Sequence, residues 1–525
     1  MVEKINKPRL YIKSFSLAYL LSSVSALAGE WHIDPNLGLT ETYTDNVELS
    51  PLETQSSLVR QFILGVDANF SSKKLYFSFA GTETLVGFSH NSELNDDYQT
   101  LQANALYDIW GNKLQVIANS SITNVSTSDA DNGLADLVNG DTVQQLNHSA
   151  GLQYSSTTSD YSVSSSLLYS MIKTEDNIGE SNGYTAQITS KNGSAARYAF
   201  WDIDGNHTNR KNKGFTSETY QIETKVGAIT PYKVNPFIRF YNEKITGNGA
   251  SNNQEAIPSW GPGLRYQAAK HFIIDLSYNY IIDDTQASDD YIAANIDWQP
   301  SSRTSIEVSY SKRFFGDSYE LDFSHRTKRF TNTVSYHETI DVFDRNNYQQ
   351  TDNEVWCANN STDVSNCLPV GEVPIDTSKY QILSVSSLEL VEDNEFSLNK
   401  RLAWQSQLAL ARTTFFLNVS SHKRENLTTG VIDNYSDARF SIARRMSVRS
   451  DITIYIDYRE SVFDKDNPKG PRQEDIYKTL STTYNRSLAS SLNAFLTLQY
   501  IDRQSNIDRY TYNEARASIN LTKGF

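Results

Sequence analysis

The chain has 525 residues, 38% of them hydrophobic and 12% aromatic, and a net charge of −15 at pH 7, with a mean hydropathy of −0.50. This acidity argues against nucleic-acid binding, which needs a basic face, and no apolar run after Ala28 approaches the ~20 residues of a spanning helix. A soluble chain of this length would divide into several domains joined by Pro- or Gly-rich linkers, and none is visible.

Lys4, Lys7, Arg9 and Lys13 precede an apolar run from Phe15 to Leu27 that closes on Ala26-Leu27-Ala28. A basic start, a short apolar stretch and a small-x-small site are the marks of a secretory signal peptide. A membrane anchor is the less favoured alternative, because the run is about half of a spanning length. Residues 1–28 are therefore read as a signal peptide and residues 29–525 as the mature domain.

The mature chain has one texture throughout, with alternating polar and apolar runs separated by clusters of Asn, Asp, Ser and Gly. Residues 36–44 read as a first strand, followed by turn residues at Asp45-Asn46 and Ser50-Pro51. Residues 58–70 return, and Ser71-Ser72-Lys73 turns into a strand over 75–88. Strands over 98–110 and 113–125 form a hairpin about Gly111-Asn112. Beyond it, short turns near 157–159, 193, 268–270, 300–303, 411–412, 445 and 489 alternate with longer loops near 126–141, 174–183, 247–258, 341–379, 425–433 and 463–475. Short turns on one side and long loops on the other are the asymmetry of an outer-membrane barrel. The expected fold is all-β, a large antiparallel transmembrane β-barrel of about 24 strands, an even number that returns both ends to the periplasm. Residues 381–390 are either one more strand or part of the long external loop.

In the stretch 448–458, Val448, Ile452, Ile454, Ile456 and Tyr458 share one face and Arg449, Asp451, Thr453, Asp457 and Arg459 the other. A charged row is prohibitive in a dry core but not against a wet lumen. Arg449, Asp451, Asp457 and Arg459 are thus lumen candidates, and the isoleucines face lipid. At the C-terminus, Phe525, Lys523, Leu521, Ile519, Ala517 and Ala515 alternate with Thr522, Asn520, Ser518, Arg516 and Glu514. This strand and its terminal aromatic resemble the last strand of outer-membrane barrels. The resemblance implies recognition by the barrel-assembly machinery, with Phe525, Leu521 and Ile519 as the assembly signal. Lys523 departs from the usual apolar residue, and its ammonium can reach the headgroups.

Acidic pairs such as Asp129 with Asp131, Asp283-Asp284 and Asp289-Asp290 fall in loops. They read as solvated loops, with divalent-ion bridging to lipopolysaccharide as the alternative. Cys357 and Cys367 lie in the longest loop, and one cysteine pair in an exported chain favours a disulfide over a metal site that lacks further ligands. No hydrolase elbow, zinc-protease motif or phosphate-binding loop is present. The grouping of Asp322, His325 and Arg326 reads as ordinary lumen polarity. No catalytic residue, cofactor or metal is expected.

Two stretches carry a more specific resemblance. Residues 37–51 (LGLTETYTDNVELSP) run on into Phe62-Ile63-Leu64-Gly65, and Trp260-Gly261-Pro262-Gly263-Leu264-Arg265-Tyr266 leads through Trp298-Gln299-Pro300 to the hairpin around Arg313, Gly316 and Tyr319. Together they resemble the outer-membrane proteins associated with PEP-CTERM/exosortase systems. That resemblance implies a conduit or accessory for exporting exopolysaccharide or sorted surface proteins. The implied partners are outer-membrane lipid and lipopolysaccharide, the barrel-assembly machinery, exopolysaccharide and periplasmic export components, with no nucleic acid. It transfers no catalytic residues. A structural or surface-binding barrel with a closed lumen, or a general porin, is the alternative.

Overall fold

The computed structural model describes residues 29–139, 142–247, 254–269, 271–282, 289–343, 345–359, 367–368, 377–392 and 394–525. The expected signal peptide and the Asp283-Asp284 pair lie outside them. Strands are numbered β1 to β27 in chain order. The main sheet holds 25 strands and closes on itself, because β1 (Glu30–Thr44) pairs antiparallel with both β2 (Ser57–Ser71) and β27 (Tyr512–Gly524). One of the 25, β12 (Gln254–Ala256), only extends the end of β11 (Val234–Gly247), which leaves 24 in the ring, as the sequence predicts. The other two strands, β19 (Tyr348–Ala358) and β20 (Tyr380–Leu390), form a separate hairpin. Residues 381–390 are therefore a strand, but one belonging to the external loop.

Closure satisfies every ladder without leaving an edge, which is why a strand-built chain can stand in lipid. Residues directly opposite each other in an antiparallel pair share a face, so the register carries the inside and the outside around the ring. In β11, Asn235, Phe237, Arg239, Tyr241, Glu243 and Ile245 are buried on the inside, whereas Val234, Pro236, Ile238 and Phe240 are exposed on the outside. Elsewhere the outside carries exposed Leu37, Leu39, Phe62, Leu64, Leu276, Ile292, Leu402 and Ile456. Aromatic rings sit near strand ends, Trp110 and Trp298 at the short-turn side and Trp260 with Tyr280 at the other. An apolar outer belt with aromatic ends around a polar interior is the construction of an outer-membrane β-barrel. The chain is an integral barrel of the outer membrane.

Most wall strands have 13 to 16 residues, but β13 (Ser259–Ala269), β14 (Phe272–Ile281), β15 (Tyr291–Ser301), β16 (Thr304–Arg313) and β17 (Gly316–Arg326) have 10 or 11. About 9–11 residues suffice to cross. The longer strands therefore rise above the membrane on the loop side, and buried inner residues concentrate in their upper halves, as in Gln473, Asp475 and Tyr477 or Tyr512, Glu514 and Arg516.

Candidate functional site: the lumen and its inward loops

In β24 (Ser450–Phe463) the register places Asp451, Asp457 and Arg459 on the inner face, and Ile454 and Ile456 are exposed outside. Asp457 accepts from Arg439 Nε at 2.8 Å and Arg459 Nε donates to Asp437 at 3.1 Å, so opposite charges face each other across β23 (Ile432–Ser447) and β24. Arg449 is a correction. It occupies the exposed periplasmic turn with Val448, because the ladder ends at Ser447 opposite Ser450. At the C-terminus, Ile519, Leu521 and Phe525 are exposed on the outer side. Phe525 N donates to Pro35 O at 3.0 Å, while Lys523 turns to Ser491 Oγ at the neighbouring turn. Cys357 and Cys367 are joined in a disulfide within the β19–β20 loop.

The sequence reading missed that two external loops turn inward. The first follows β5 (Leu114–Ser126) and leads to β6 (Thr142–Thr157). Its own polar groups shape it: Ser126 Oγ donates to Asn132 O at 2.6 Å, and Asp136 Oδ1 accepts from Val138 N and Asn139 N. The far wall then holds it. Arg503, on β26 (Leu492–Ser505), donates to Ala130 O at 2.7 Å and also to Asp131 O. Arg459 Nη1 donates to Gly133 O at 2.8 Å, Tyr477 OH accepts from Gly133 N at 3.1 Å, and Arg516 donates to Asp136 Oδ2 at 2.7 Å. Val138 packs with Val47, Val59, Val86, Phe88 and Tyr98, which gives the loop an apolar seat over the first strands.

The second loop joins β18 (Phe330–Val342) to β21 (Phe396–Ala409) and carries the hairpin. Arg345 makes two hydrogen bonds to the Asp176 carboxylate at 2.6 and 2.7 Å and reaches the carbonyls of Ile178, Ser126 and Thr127. Lys213 donates to Glu392 at 2.5 Å. The loops meet where Ala130 packs with Tyr348, Leu388 and Phe463. Beneath this contact lies a cavity of about 500 Å³ lined by Asp129, Gln145, Arg210, Asp341, Arg345 and Phe396 among others. Burial pushes the Asp129 carboxyl up, against the opposing pull of Arg459 and Arg345. Burial also pushes the Asp176 carboxyl up, but the hydrogen bonds and charge of Arg345 outweigh it and hold the group below the ordinary aspartate value.

The wall below the loops divides into two sectors. From β3 (Leu75–Phe88) to β7 (Tyr161–Thr174), one inner row reads Ser78, Asn104, Asn119, Ser149, Ser170. Between the strand ends, where Asp96 and Asp108 mark the limits of the fourth strand, the described inner faces of this sector carry no charge. The sector from β9 (Ala199–Asn212) to β17 is charged. Asp204 stands opposite Glu223, and Asp297, Glu307 and Asp322 form a continuous row across three strands. Like charges directly opposite are destabilising, so this row has no structural rationale of its own. Beside it, His337 presents one ring nitrogen to Glu320 at 3.0 Å and the other to Asp322 at 3.3 Å. These three are the cluster among the described residues able to hold a cation, although a ring engaged at both nitrogens is an imidazole bridging two acids. His325 points to the other face, against Thr304 Oγ1 at 2.8 Å, which separates it from Asp322.

The two ends of the barrel differ in charge. The periplasmic turns expose Lys73, Lys74, Lys113, Arg303, Arg329 and Arg412, and Asp160 is the only acidic residue among their described residues. The acids gather on the external side.

No protein-family model and no curated protein sequence matches the chain. Among solved structures it is similar to the FrpB iron transporter of Neisseria meningitidis, with a TM-score of 0.41 and 8% identity over 96% of this chain and 82% of that one. It is also similar to the siderophore receptor PirA of Acinetobacter baumannii, with a TM-score of 0.41 and 9% identity over 94% and 80%. A third is a loop-deleted OmpT, an outer membrane protein of Vibrio cholerae, with a TM-score of 0.35 and 8% identity over 95% and 100%. Likeness at this level assigns no family, and the barrel assignment stands on the closed strand pairing itself.

Proposed function

We propose that this outer-membrane barrel is a gated conduit, rather than a catalyst, for a hydrophilic polymer leaving the periplasm, in the export setting that the PEP-CTERM resemblance implies. The observation that carries the proposal is the manner of closure. A ring of 24 strands leaves room for a channel unless something fills it. Here the mouth is crossed by two loops held through side-chain to carbonyl hydrogen bonds and ion pairs, which are contacts that can be exchanged for water. The lumen below offers hydroxyl and amide groups along one sector and acids along another. A polyanion would be repelled there, whereas a neutral or weakly charged glycan would find hydrogen-bond partners. Single-channel recording of the refolded mature protein in a planar bilayer tests this. Large steps interrupted by a neutral polysaccharide added on the periplasmic side are expected. A folded barrel that stays silent even when residues 129–137 are replaced by a short turn would overturn the conduit in favour of a closed scaffold.

A further inference from the structure

We propose that the periplasmic rim at the turns 193–198 and 229–233 is a binding site for one anionic phospholipid of the inner leaflet. A groove of about 860 Å³ crosses the outer face from Tyr198 and Ala228 to Leu276 and Ile292. Its depth has a local cause. Ala199, Ala228, Pro236 and Pro262 put small or ring-tied groups outside, while the inward Phe200 and Phe237 pack against Gly227 and Gly263 from within. A Cβ on Gly263 would come within 2.3 Å of the Phe237 ring, and one on Gly227 within 2.4 Å of Phe200. Both glycines face the lumen, where any larger residue would displace the rings that back the dent.

The groove reaches Tyr198 at its periplasmic end, in the turn that carries exposed Arg197, and the adjoining turn carries exposed Lys233; neither turn holds an acidic residue. The turns adjoin, since Ile229 N donates to Tyr198 O at 2.8 Å. Tyr198 and Tyr232 are 87% and 79% exposed, which suits the amphipathic headgroup level. An acyl chain gains nothing by leaving lipid tails for an apolar groove of the same polarity. Selection must then come from the headgroup, and two cations without nearby acids select a phosphate that carries net negative charge. Lipopolysaccharide lies in the other leaflet.

Native mass spectrometry of the mature barrel, its fold checked by heat-modifiable migration, tests the site with phosphatidylglycerol and phosphatidylcholine titrated separately. A first phosphatidylglycerol should be retained roughly tenfold better than phosphatidylcholine. The R197A/K233A double variant should erase that preference. Ala228→Phe, which fills the groove without touching charge, should weaken retention of either lipid. Arg60→Ala, on the external side and paired with Glu41, should change nothing. Equal retention of the two lipids, or a preference that survives the double variant, would overturn the site. So would polygalacturonate binding that is lost in the double variant while phosphatidylglycerol binding is not, because the rim would then serve polymer entry.

Discussion

Arg503 is the residue on which the docking of the first loop converges. Its guanidinium is sandwiched by Tyr477 and Tyr510 at 5.1 and 4.9 Å, pairs with Asp475 at 3.0 Å and donates to two loop carbonyls. Both partners of the ion pair are essentially fully buried, at 1% and 0% exposure of their side chains. Removing one partner of such a pair strands the other charge and costs about 3–5 kcal/mol. Arg503→Ala should therefore release the first loop, read as lost hydrogen-exchange protection over residues 128–138 and a raised open probability; unchanged protection would place the hold elsewhere. The two loop aspartates act with opposite sign. Because the Asp176 pKa is depressed, its contact with Arg345 contributes above the ordinary aspartate value of about 4 and is lost as pH falls through the docked value. Asp129 is raised, so it favours docking at low pH, and that contribution is lost as pH rises through its docked value. Asp129→Asn should accordingly lower open probability at pH 7 and flatten its pH dependence above pH 4, whereas Asp176→Asn should raise open probability at neutral pH. Channel recordings between pH 4 and 8 separate the two.

At the scale of elements, the barrel and the lid are distinct pieces of the chain. Replacing residues 129–137 with a short turn should leave the strand ladder intact and raise conductance severalfold, since a wide barrel conducts unless obstructed. The disulfide lies wholly within the hairpin, joining β19 to the segment before β20 with a sequence separation of 10 between its cysteines. A double Cys→Ser variant should thus leave heat-modifiable migration of the barrel unchanged while speeding proteolysis of the β19–β20 loop; faster loss of the barrel itself would show that the hairpin braces the ring. The strands and their facing were legible in the sequence because period-two alternation is a local signal: Ile454 and Ile456 against Asp451, Asp457 and Arg459 needed no knowledge of any partner strand. Arg449 failed because a two-residue turn and a strand end share the same alternation. The lid was not legible at all. Arg503 meets Asp131 across 372 positions and Arg345 meets Asp176 across 169, and nothing in the text near Asp129 distinguishes a loop turned inward from one left in water. The one available sign was Arg503 itself, an arginine at an inward position beside the loop end.

Across the whole molecule, the net charge of −15 conceals a pattern that decides what the lumen will pass. An average acidity would only repel anions at a distance, and salt screens that over about 10 Å. The row of Asp297, Glu307 and Asp322, with Glu320 alongside, concentrates the charge inside a low-dielectric wall where it is felt by anything in transit. The neutral row through Asn104 and Asn119 adds no opposing field. The paired charges around Asp437, Arg439, Asp457 and Arg459 cancel locally. The open pore should therefore select cations, with a reversal potential of the sign set by potassium in a potassium chloride gradient. Neutralising the row as Asp297→Asn, Glu307→Gln and Asp322→Asn should move that potential toward zero without reducing conductance in high salt, because the variants change charge and hardly change volume. The same triple variant should also stabilise the barrel, since it removes like charges held face to face. An anion-selective pore, or a triple variant that loses stability, would mean that the acids are compensated by something other than the passing solute. Cation selectivity lost together with a gain in stability would show that the wall keeps an unfavourable row because transport needs it.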